Sequence, residues 1–402
     1  MILENIQDFF VFSLCWVIIL WVIKMYCRRC GNDNEELFRT IKKGTYCLKC
    51  QGFGRFYIDK EFEQKYFPKI VEDSDYELNY ELTSGQVEAA KAIIKGIEEK
   101  KNILLYAVCG AGKTEMTMPL ISYCLQHMLK VGIAIPRKDV VIELEERYRH
   151  AFPKIHVVSV YGGNHECLDG DLIILTTHQL YRYEKVFDVL IVDEVDAFPY
   201  ANNELLESFV SFATKGNNLF MSATPSSKQK ELIEQGKLKL VTLFQRPHGG
   251  KLCVPKNHVT LPSLFPLYIY QYIHKYKDKV ILLFVPTIQL ANQYYYVLKH
   301  FVSCVKVTSK TNNREEFNKK VKEHLWNVVV CTTVLERGIT IADVQVLVVY
   351  ANHPVFSTSS LVQISGRVGR KAYAKEGNCL FLSSAKAQNV DEAINLIKEA
   401  NK

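Results

Sequence analysis

Short, continuous apolar runs recur along the chain from about residue 82 onward. Examples are "NILLYA" at residues 102–107, "VLIV" at 189–192 and "VILLF" at 280–284. Runs of this length without alternating polar positions are typical of strands that are covered on both faces, as in parallel sheets. Because longer segments of mixed polarity separate them, the pattern predicts alternating strands and helices. The predicted fold class is therefore α/β with parallel sheets.

The first 26 residues follow a different pattern. Residues 9–23 are fifteen uncharged and mostly large apolar residues, whereas a membrane-spanning helix needs about 20. Arg28 and Arg29 follow, which would keep the rest of the chain in the cytoplasm by the positive-inside rule. We expect residues 1–26 to form a short apolar helix that anchors the chain to a membrane. Sedimentation with membranes through a high-salt wash tests this against the alternatives, a buried or interfacial helix or a start at Met25.

Two Cys-x-x-Cys pairs lie in the next segment, residues 27–80. Cys27 and Cys30 form the first pair, and Cys47 and Cys50 form the second pair after sixteen intervening residues. Two such pairs can supply four thiolates to one tetrahedral Zn²⁺ ion. Four protein ligands leave no open position, so the predicted zinc site is structural. Chance pairs or a redox dithiol are the alternatives.

Basic and aromatic residues are interleaved around these cysteines. Together they suit a single strand of nucleic acid, through phosphate contacts and base stacking. A solvated basic surface with aromatic residues in a small core explains the same pattern equally well. The residues are Arg28, Arg29, Arg39, Lys42, Lys43, Lys49 and Arg55, with Tyr46, Phe53, Phe56 and Tyr57.

Overall composition adds limited information. The chain has 402 residues and a formal net charge of +7, which would attract a polyanion but identifies none. Eight of the twelve cysteines are scattered, and Cys331 lies within the apolar run "VVVCTT". Scattered buried thiols favour a reducing cytosol over a disulfide-bonded secreted protein.

The segment "AVCGAGKT" at residues 107–114 joins an apolar strand to the start of a helix, the context of a phosphate-binding loop. Ala107 stands where the general pattern has its first glycine. In such a loop the glycines let backbone N–H groups approach phosphates, the lysine reaches the β and γ oxygens, and the hydroxyl binds Mg²⁺. We predict a catalytic role for Lys113. The predicted ATP-binding residues are Gly110, Ala111, Gly112, Lys113 and Thr114.

Gln86 in "LTSGQ" precedes this loop. It stands where ATP-driven motors with such loops often contact adenine. We predict that it binds the nucleotide, and an ordinary solvated helix residue is the alternative.

Carboxylates follow the apolar run that ends at residue 192, in "DEVD" at residues 193–196. At the end of a strand near a phosphate loop, Asp193 can hold Mg²⁺ while Glu194 orients and deprotonates the attacking water. Asp196 completes the D-E-x-D box. Glu194 is therefore the predicted catalytic base, and Asp193 is a predicted ligand of the metal cofactor.

Two hydroxyl-bearing motifs lie farther along the chain. "SAT", comprising Ser222, Ala223 and Thr224, follows a strand-like run, at a position that couples the nucleotide site to the nucleic-acid groove in such motors. For the serine, a cap of the following helix is the alternative. Three further residues are predicted to face nucleic acid or nucleotide: Thr332, Thr333 and Arg337.

The second half repeats the strand and helix pattern without a second phosphate loop and ends in "LVQISGRVGR" at residues 361–370. Arg367 and Arg370 are three residues apart and so share one helix face. The planar, always-charged guanidinium suits charge spread over transferring phosphoryl oxygens. We predict that both arginines are catalytic and that Gln363 binds the nucleotide. Surface arginines in salt bridges are the alternative.

These motifs together resemble those of superfamily-two helicases, over about residues 82 to 390. The four cysteines before the motor and the segment "QRPHGGKLCVP" at residues 245–255 resemble, more narrowly, the ComFA family of transformable Gram-positive bacteria. The resemblance implies two tandem RecA-like lobes, at residues 81–246 and 247–402. It implies a cytoplasmic ATPase at the inner face of the membrane that draws single-stranded DNA through a competence channel. That channel and companion competence proteins are the implied partners.

The expected cofactors are ATP, Mg²⁺ and Zn²⁺. Closure of the two lobes on ATP would shift one lobe along the strand, and hydrolysis would reopen them. An RNA-remodelling enzyme would use the same motor residues, and RNA must be compared with DNA as the activator of ATP hydrolysis. A zinc-dependent adaptor without catalysis is a further alternative, which an ATPase assay would test.

Overall fold

The computed structural model describes residues 25–62, 74–311, 325–336, 341, 343–370 and 373–402. The apolar segment at residues 9–23 and Arg337 lie outside the described residues, so the structure does not test the predictions made for them. Within the described ranges, no helix is long and apolar enough to cross a membrane.

The four-cysteine module is built around a small antiparallel hairpin. Strand β1 (Phe38–Ile41) pairs with β2 (Gly44–Cys47), and Phe38 lies opposite Cys47. The first cysteine pair precedes the hairpin, while the second pair begins at its last residue. The hairpin therefore folds the chain back so that the two pairs meet.

The first lobe contains a seven-stranded sheet in which all described neighbours are parallel. The order across the sheet is β5-β6-β4-β7-β8-β3-β9. The strands are β3 (Asn102–Ala107), β4 (Val131–Ile135), β5 (Val157–Val160), β6 (Leu172–Thr176), β7 (Phe187–Val192), β8 (Thr214–Ser222) and β9 (Leu238–Leu243). Its helices are α1 (Ser84–Glu98), α2 (Lys113–Gln126), α3 (Lys138–Ala151), α4 (Glu204–Ala213) and α5 (Ser227–Glu234).

The second lobe contains a six-stranded parallel sheet in the order β10-β15-β14-β11-β13-β12. Its strands are β10 (Lys256–Val259), β11 (Val280–Phe284), β12 (Cys304–Val307), β13 (Val328–Cys331), β14 (Val344–Val349) and β15 (Cys379–Ser383). The described helices are α6 (Phe265–Lys275), α7 (Ile288–Leu298), α8 (Thr358–Ser365) and α9 (Gln388–Ala400). The α/β class with two parallel sheets is confirmed.

The continuous apolar runs form strands because side chains are buried on both faces of each sheet. In β6, Leu172 and Ile174 enter a core with α1, α2 and α3, whereas Ile173 and Leu175 enter a second core. That second core also contains the four cysteines and the buried side of α4. The four-cysteine module thus covers one face of the first lobe and contributes to its interior.

The sheet order determines where the motifs meet. Strand β8 lies between β3 and β7. Because parallel strands end at the same edge, the chain segments that follow these three strands are neighbours. They are the phosphate loop, the SAT motif and the D-E-x-D box.

Candidate nucleotide, metal and nucleic-acid sites

The phosphate loop connects the end of β3 to the first residue of α2. Gly110 and Gly112 have φ values of 81° and 77°, a left-handed conformation that glycine adopts without steric cost. A Cβ atom at Gly112 would lie 2.3 Å from Nε2 of Gln86. Helix α2 begins at Lys113, so its free N–H groups point toward the loop. This arrangement has the features of an anion-binding site.

Lys113 lies beside the carboxylates of the D-E-x-D box. Its Nζ is 3.5 Å from Oδ1 of Asp193, and both side chains are largely buried. Burial alone would lower the pKa of Lys113, but Asp193, Asp196 and Glu194 outweigh it and raise the pKa. The lysine is therefore held in its charged form at the mouth of the phosphate loop.

Glu194 has an unusual backbone conformation. Its φ is 52°, which is uncommon for a residue other than glycine and is often found at functional sites. The Glu194 N–H donates to Oδ1 of Asp193 at 2.7 Å. This bond fixes the Asp193 carboxylate against the backbone of the bend.

Asp196 connects the box to the SAT motif and to the second lobe. Oγ1 of Thr224 donates to Oδ2 of Asp196 at 3.1 Å, and Oγ of Ser359 in α8 donates to the same oxygen. Ser222 accepts from the N–H of Thr224 at 2.9 Å. Helix α5 is capped instead by Ser226, so the alternative cap assignment for Ser222 is wrong.

Arg367 and Arg370 follow helix α8, which ends at Ser365, so the prediction that they share one helix face is wrong. They are held by the turn after the helix, and both interact electrostatically with Glu194 and Cys109 of the first lobe. Only 2% of Arg367 is exposed, and its Nε donates to the carbonyl of Glu336 at 3.1 Å. In the part of the chain that the structure describes, neither Nη1 nor Nη2 of Arg367 has a hydrogen-bond partner. Burial, and secondarily Arg370, lower the pKa of Arg367 while Glu194 raises it. A buried guanidinium with two such nitrogens fits an anionic ligand.

Two predicted nucleotide-binding glutamines contact the loop itself. Gln86 is 1% exposed, and its Nε2 donates to the carbonyl of Ala111 at 2.9 Å. Its Oε1 accepts from the N–H of Thr83 at 2.9 Å, which completes a capping box of α1. Gln363 lies across the cleft, where its Oε1 accepts from Sγ of Cys109 at 2.9 Å. The structure thus brings both glutamines to the phosphate loop, and their contact with a nucleotide stays a prediction.

The four cysteines meet in a buried cluster. Their Sγ atoms all lie within 4.8 Å of one another, with 3.8 Å between Cys27 and Cys50 and 3.6 Å between Cys30 and Cys47. Tetrahedral zinc with Zn–S bonds of about 2.3 Å requires sulfur atoms about 3.8 Å apart. The donor set and its spacing therefore fit Zn²⁺.

Arg29 forms a second layer around this cluster. The buried guanidinium donates to Sγ of Cys50 from Nη2 at 3.1 Å and from Nε at 3.3 Å. It also donates to the backbone carbonyls of Cys50 and Gly54, both at 2.7 Å. A cation in this position offsets the negative charge of a thiolate cluster. Arg29 is thus not available to bind a phosphate backbone.

The aromatic residues of the module also serve its packing. The ring of Phe53 makes an edge contact with Phe209 of α4 at 4.9 Å, and Phe56 does so with Phe212 at 5.6 Å. Arg28 pairs with Glu184 of the first lobe at 2.5 Å. Of the two interpretations left open by the sequence, the structure favours the small core for Phe53 and Phe56.

A large cavity of about 1790 Å³ lies between the lobes. Thr224 and Phe198 line it from the first lobe, and Thr332, Thr333 and Ser359 line it from the second. Phe198 is 89% exposed although it lies only two residues after the D-E-x-D box. The sequence analysis did not single out Phe198 or Ser359. For Phe198 the only signal in the sequence is an aromatic residue close to the acidic box, and for Ser359 the sequence contains no signal.

Comparison with solved structures identifies the fold of the two lobes. A structure of S. cerevisiae Dbp5 bound to RNA and ADP BeF3 matches with a TM-score of 0.56 and 16% identity, covering 79% of this chain and 91% of that chain. RecG bound to a three-way DNA junction matches with a TM-score of 0.55 and 20% identity, covering 80% of this chain and 45% of that chain. The two lobes are therefore tandem RecA-like lobes.

Sequence comparison identifies the class and the family. Residues 79–227 match "Type III restriction enzyme, res subunit", and residues 266–372 match "Helicase conserved C-terminal domain". The lobes and their motifs define an ATP-dependent, helicase-like enzyme of superfamily two. Competence protein ComFA of Bacillus subtilis is 34% identical, and the match covers 93% of this chain and 85% of that protein. Competence protein ComFA of Streptococcus pneumoniae is 32% identical, and the match covers 94% of this chain and 91% of that protein. The chain belongs to the ComFA family.

Proposed function

We propose that this chain is an ATP-driven translocase for single-stranded DNA that acts in DNA uptake during natural transformation. The observation that carries the proposal is the buried guanidinium of Arg367, which has two nitrogens without a hydrogen-bond partner among the described residues and interacts electrostatically with Cys109 and Glu194 of the first lobe. An anion bound between them would draw the two lobes together. The role in uptake rests on the family relationship, since the relatives are named competence proteins.

Each residue has a proposed role in hydrolysis. Lys113 and the loop N–H groups would hold the phosphates of ATP, and Thr114 and Asp193 would hold Mg²⁺, which would neutralise charge at the phosphate oxygens. Glu194 accepts the proton of the attacking water. Arg367 and Arg370 stabilise the charge that develops on the transferred phosphoryl group. Gln86 and Gln363 position the nucleotide from either side of the loop.

The interlobe cavity is the proposed path of the DNA strand. Hydroxyl groups line it from both lobes, and Lys230 of α5 and the following Lys237 contribute positive charge. Phosphate contacts of this kind are independent of sequence. The exposed ring of Phe198 is placed to stack on a base, which every nucleotide permits. Because Phe198 follows Asp196 closely, strand binding there can act on the D-E-x-D box.

Single-stranded DNA is expected to stimulate ATP hydrolysis more strongly than RNA or duplex DNA of equal length. Phe198→Ala should weaken this stimulation by about tenfold, the loss expected for one stacked base, without changing basal hydrolysis. Phe301→Ala is the matched control, because Phe301 is also exposed and lies on the second lobe away from the cavity lining. Stronger stimulation by RNA would favour an RNA-remodelling enzyme, and no hydrolysis at all would favour a zinc-dependent adaptor.

The four-cysteine module is proposed to bind one Zn²⁺ per chain. Metal analysis of protein purified under reducing conditions should find one equivalent, and Cys27→Ser should lower the zinc content and the thermal stability of the chain. Stability should fall because the module shares a core with the first lobe. Nucleotide binding should survive, since the buried residues of the phosphate loop, Val108, Cys109 and Ala111, belong to the other core. Cys167→Ser is the control, as Cys167 is exposed and outside the cluster. Absence of zinc from the unmodified protein would refute this assignment.

A further inference from the structure

Arg246 lies in the segment that links the two lobes, just after β9. It is 1% exposed and is the largest fully buried side chain among the described residues. No motif of the catalytic machinery includes it, although it belongs to the family-specific run "QRPHGGKLCVP". A buried arginine in a linker requires a physical explanation, because an unsatisfied guanidinium would be costly in the interior.

The guanidinium of Arg246 donates hydrogen bonds to both lobes. Nε donates to the carbonyl of Cys109 in the phosphate loop at 3.0 Å. On the other side, Nη2 donates to the carbonyl of Gly366 at 3.0 Å, and Nη1 donates to those of Val368 and Gly369 at 2.9 Å and 2.7 Å. All four acceptors are backbone carbonyls. The side chain thus joins the phosphate loop directly to the turn that carries Arg367 and Arg370.

The chemistry of these acceptors favours arginine. Helix α8 ends at Ser365, so the carbonyls that follow are at its negative end and lack partners within the helix. A planar fork whose donors lie on three nitrogens can reach carbonyls of both lobes at once, whereas the three donors of lysine all lie on one nitrogen. Burial, and secondarily Arg370, lower the pKa of Arg246 to about 10, so it stays charged at neutral pH.

Two glycines of "GRVG" make room for this contact. A Cβ atom at Gly366 would lie 2.6 Å from Cβ of Cys109, and one at Gly369 would lie 2.4 Å from the carbonyl oxygen of Lys375 and 3.2 Å from Nη1 of Arg246. Gly369 also has a φ of 69°. These glycines therefore allow the arginine turn to approach the phosphate loop and Arg246.

The same contact reaches Arg370. The carbonyl of Gly366 accepts from Nη2 of Arg246 and also from Nε of Arg370, both at 3.0 Å. A change in the direction of this carbonyl would change the orientation of the Arg370 side chain. Arg367 lies between Gly366 and Val368, so Arg246 holds a carbonyl on each side of it.

We propose that Arg246 is a positioning residue of the ATPase, which holds the turn bearing Arg367 and Arg370 against the phosphate loop. It does not contact the reacting atoms. Through the four hydrogen bonds from its side chain to backbone carbonyls, it links movement of the second lobe to the nucleotide site. The inference rests on the proposed ATPase function and assigns a role to the interlobe segment within it.

Arg246→Lys tests this role, because it keeps the charge and can reach only part of the acceptor set. We expect kcat for DNA-stimulated hydrolysis to fall by about tenfold or more, the effect of misplacing Arg370 so that one of its charge-assisted hydrogen bonds to the transition state is lost. KM for ATP should change by less than about threefold, because Lys113 and the loop are intact. Lys251→Gln is the matched control, since Lys251 is an exposed cation of the same segment.

A double-mutant cycle with Arg370→Lys separates positioning from general support of the fold. If Arg246 acts through Arg370, then adding Arg246→Lys to the Arg370→Lys variant should lower kcat by less than about twofold. An equal loss in both backgrounds, or unchanged kcat in Arg246→Lys, would overturn the inference. The unmodified chain is measured alongside. If it hydrolyses no ATP the proposed function itself fails, whereas an active chain with an equally active Arg246→Lys variant refutes only the role of Arg246.

Discussion

Glu194→Gln is expected to lower kcat by about 10²-fold or more while ATP affinity is preserved. The substitution keeps the size of the side chain and removes its ability to accept a proton. Lys113, Thr114 and Asp193 remain to hold the phosphates and Mg²⁺, so the nucleotide should still bind. The left-handed backbone at Glu194 is retained, since glutamine differs only at the end of the side chain. Steady-state hydrolysis and binding of a fluorescent ATP analogue measure the two effects separately.

The same variant should hold single-stranded DNA longer when ATP is present. If ATP closes the lobes and closure tightens the grip on the strand, a variant that cannot hydrolyse ATP stays closed. The measurement is the rate of DNA dissociation with and without ATP. Lys113→Ala serves as the comparison, because it should lose both hydrolysis and the ATP-dependent retention. Near-normal turnover in Glu194→Gln would remove this residue as the base.

Arg367→Met is expected to reduce kcat by about 10³-fold, the range found for arginines that stabilise transferring phosphoryl groups. The two terminal nitrogens of Arg367 have no hydrogen-bond partner among the described residues. Methionine fills similar space and provides no donors. The rate of phosphate release at saturating ATP gives kcat for the variant and the unmodified chain. Arg149→Met is the control, since Arg149 is an exposed arginine paired with Glu145 on the first lobe.

Thermal unfolding of Arg367→Met distinguishes a catalytic from a structural arginine. Burial of a guanidinium with two unsatisfied nitrogens destabilises the nucleotide-free protein, so its replacement should raise the unfolding temperature. Loss of the single bond from Nε to Glu336 should offset only part of that gain. A marked fall in unfolding temperature together with near-normal kcat would instead identify Arg367 as part of a structural network.

Local patterns were sufficient to predict the lobes and the principal motifs. Continuous apolar runs such as that of β11 predict buried parallel strands because side chains on both faces must be covered. The phosphate loop and the D-E-x-D box are recognisable because their chemistry requires residues close together in sequence. The cysteine pairs are recognisable for the same reason, and their spacing correctly predicted a common cluster.

Contacts between distant segments could not be predicted in this way. Aromatic residues among basic ones, such as Phe53 and Phe56, are typical of a base-stacking surface. Only the tertiary structure shows that α4 covers these two rings. Arg246 meets partners more than a hundred residues away in both directions along the chain. A lone arginine in a linker has no pattern that reveals such partners. Ser359 is similar, because its bond to Asp196 depends on how the lobes meet.

The docking of the four-cysteine module on the first lobe also has a mechanical consequence. Interlocked rings, the Arg28–Glu184 ion pair and a shared core join the module to that lobe over a broad area. A tensile load applied to the chain ahead of Cys27 would therefore pass into the first lobe through these contacts. If the proposed translocase is restrained at that end, the first lobe would be held in place and the second lobe would move relative to it.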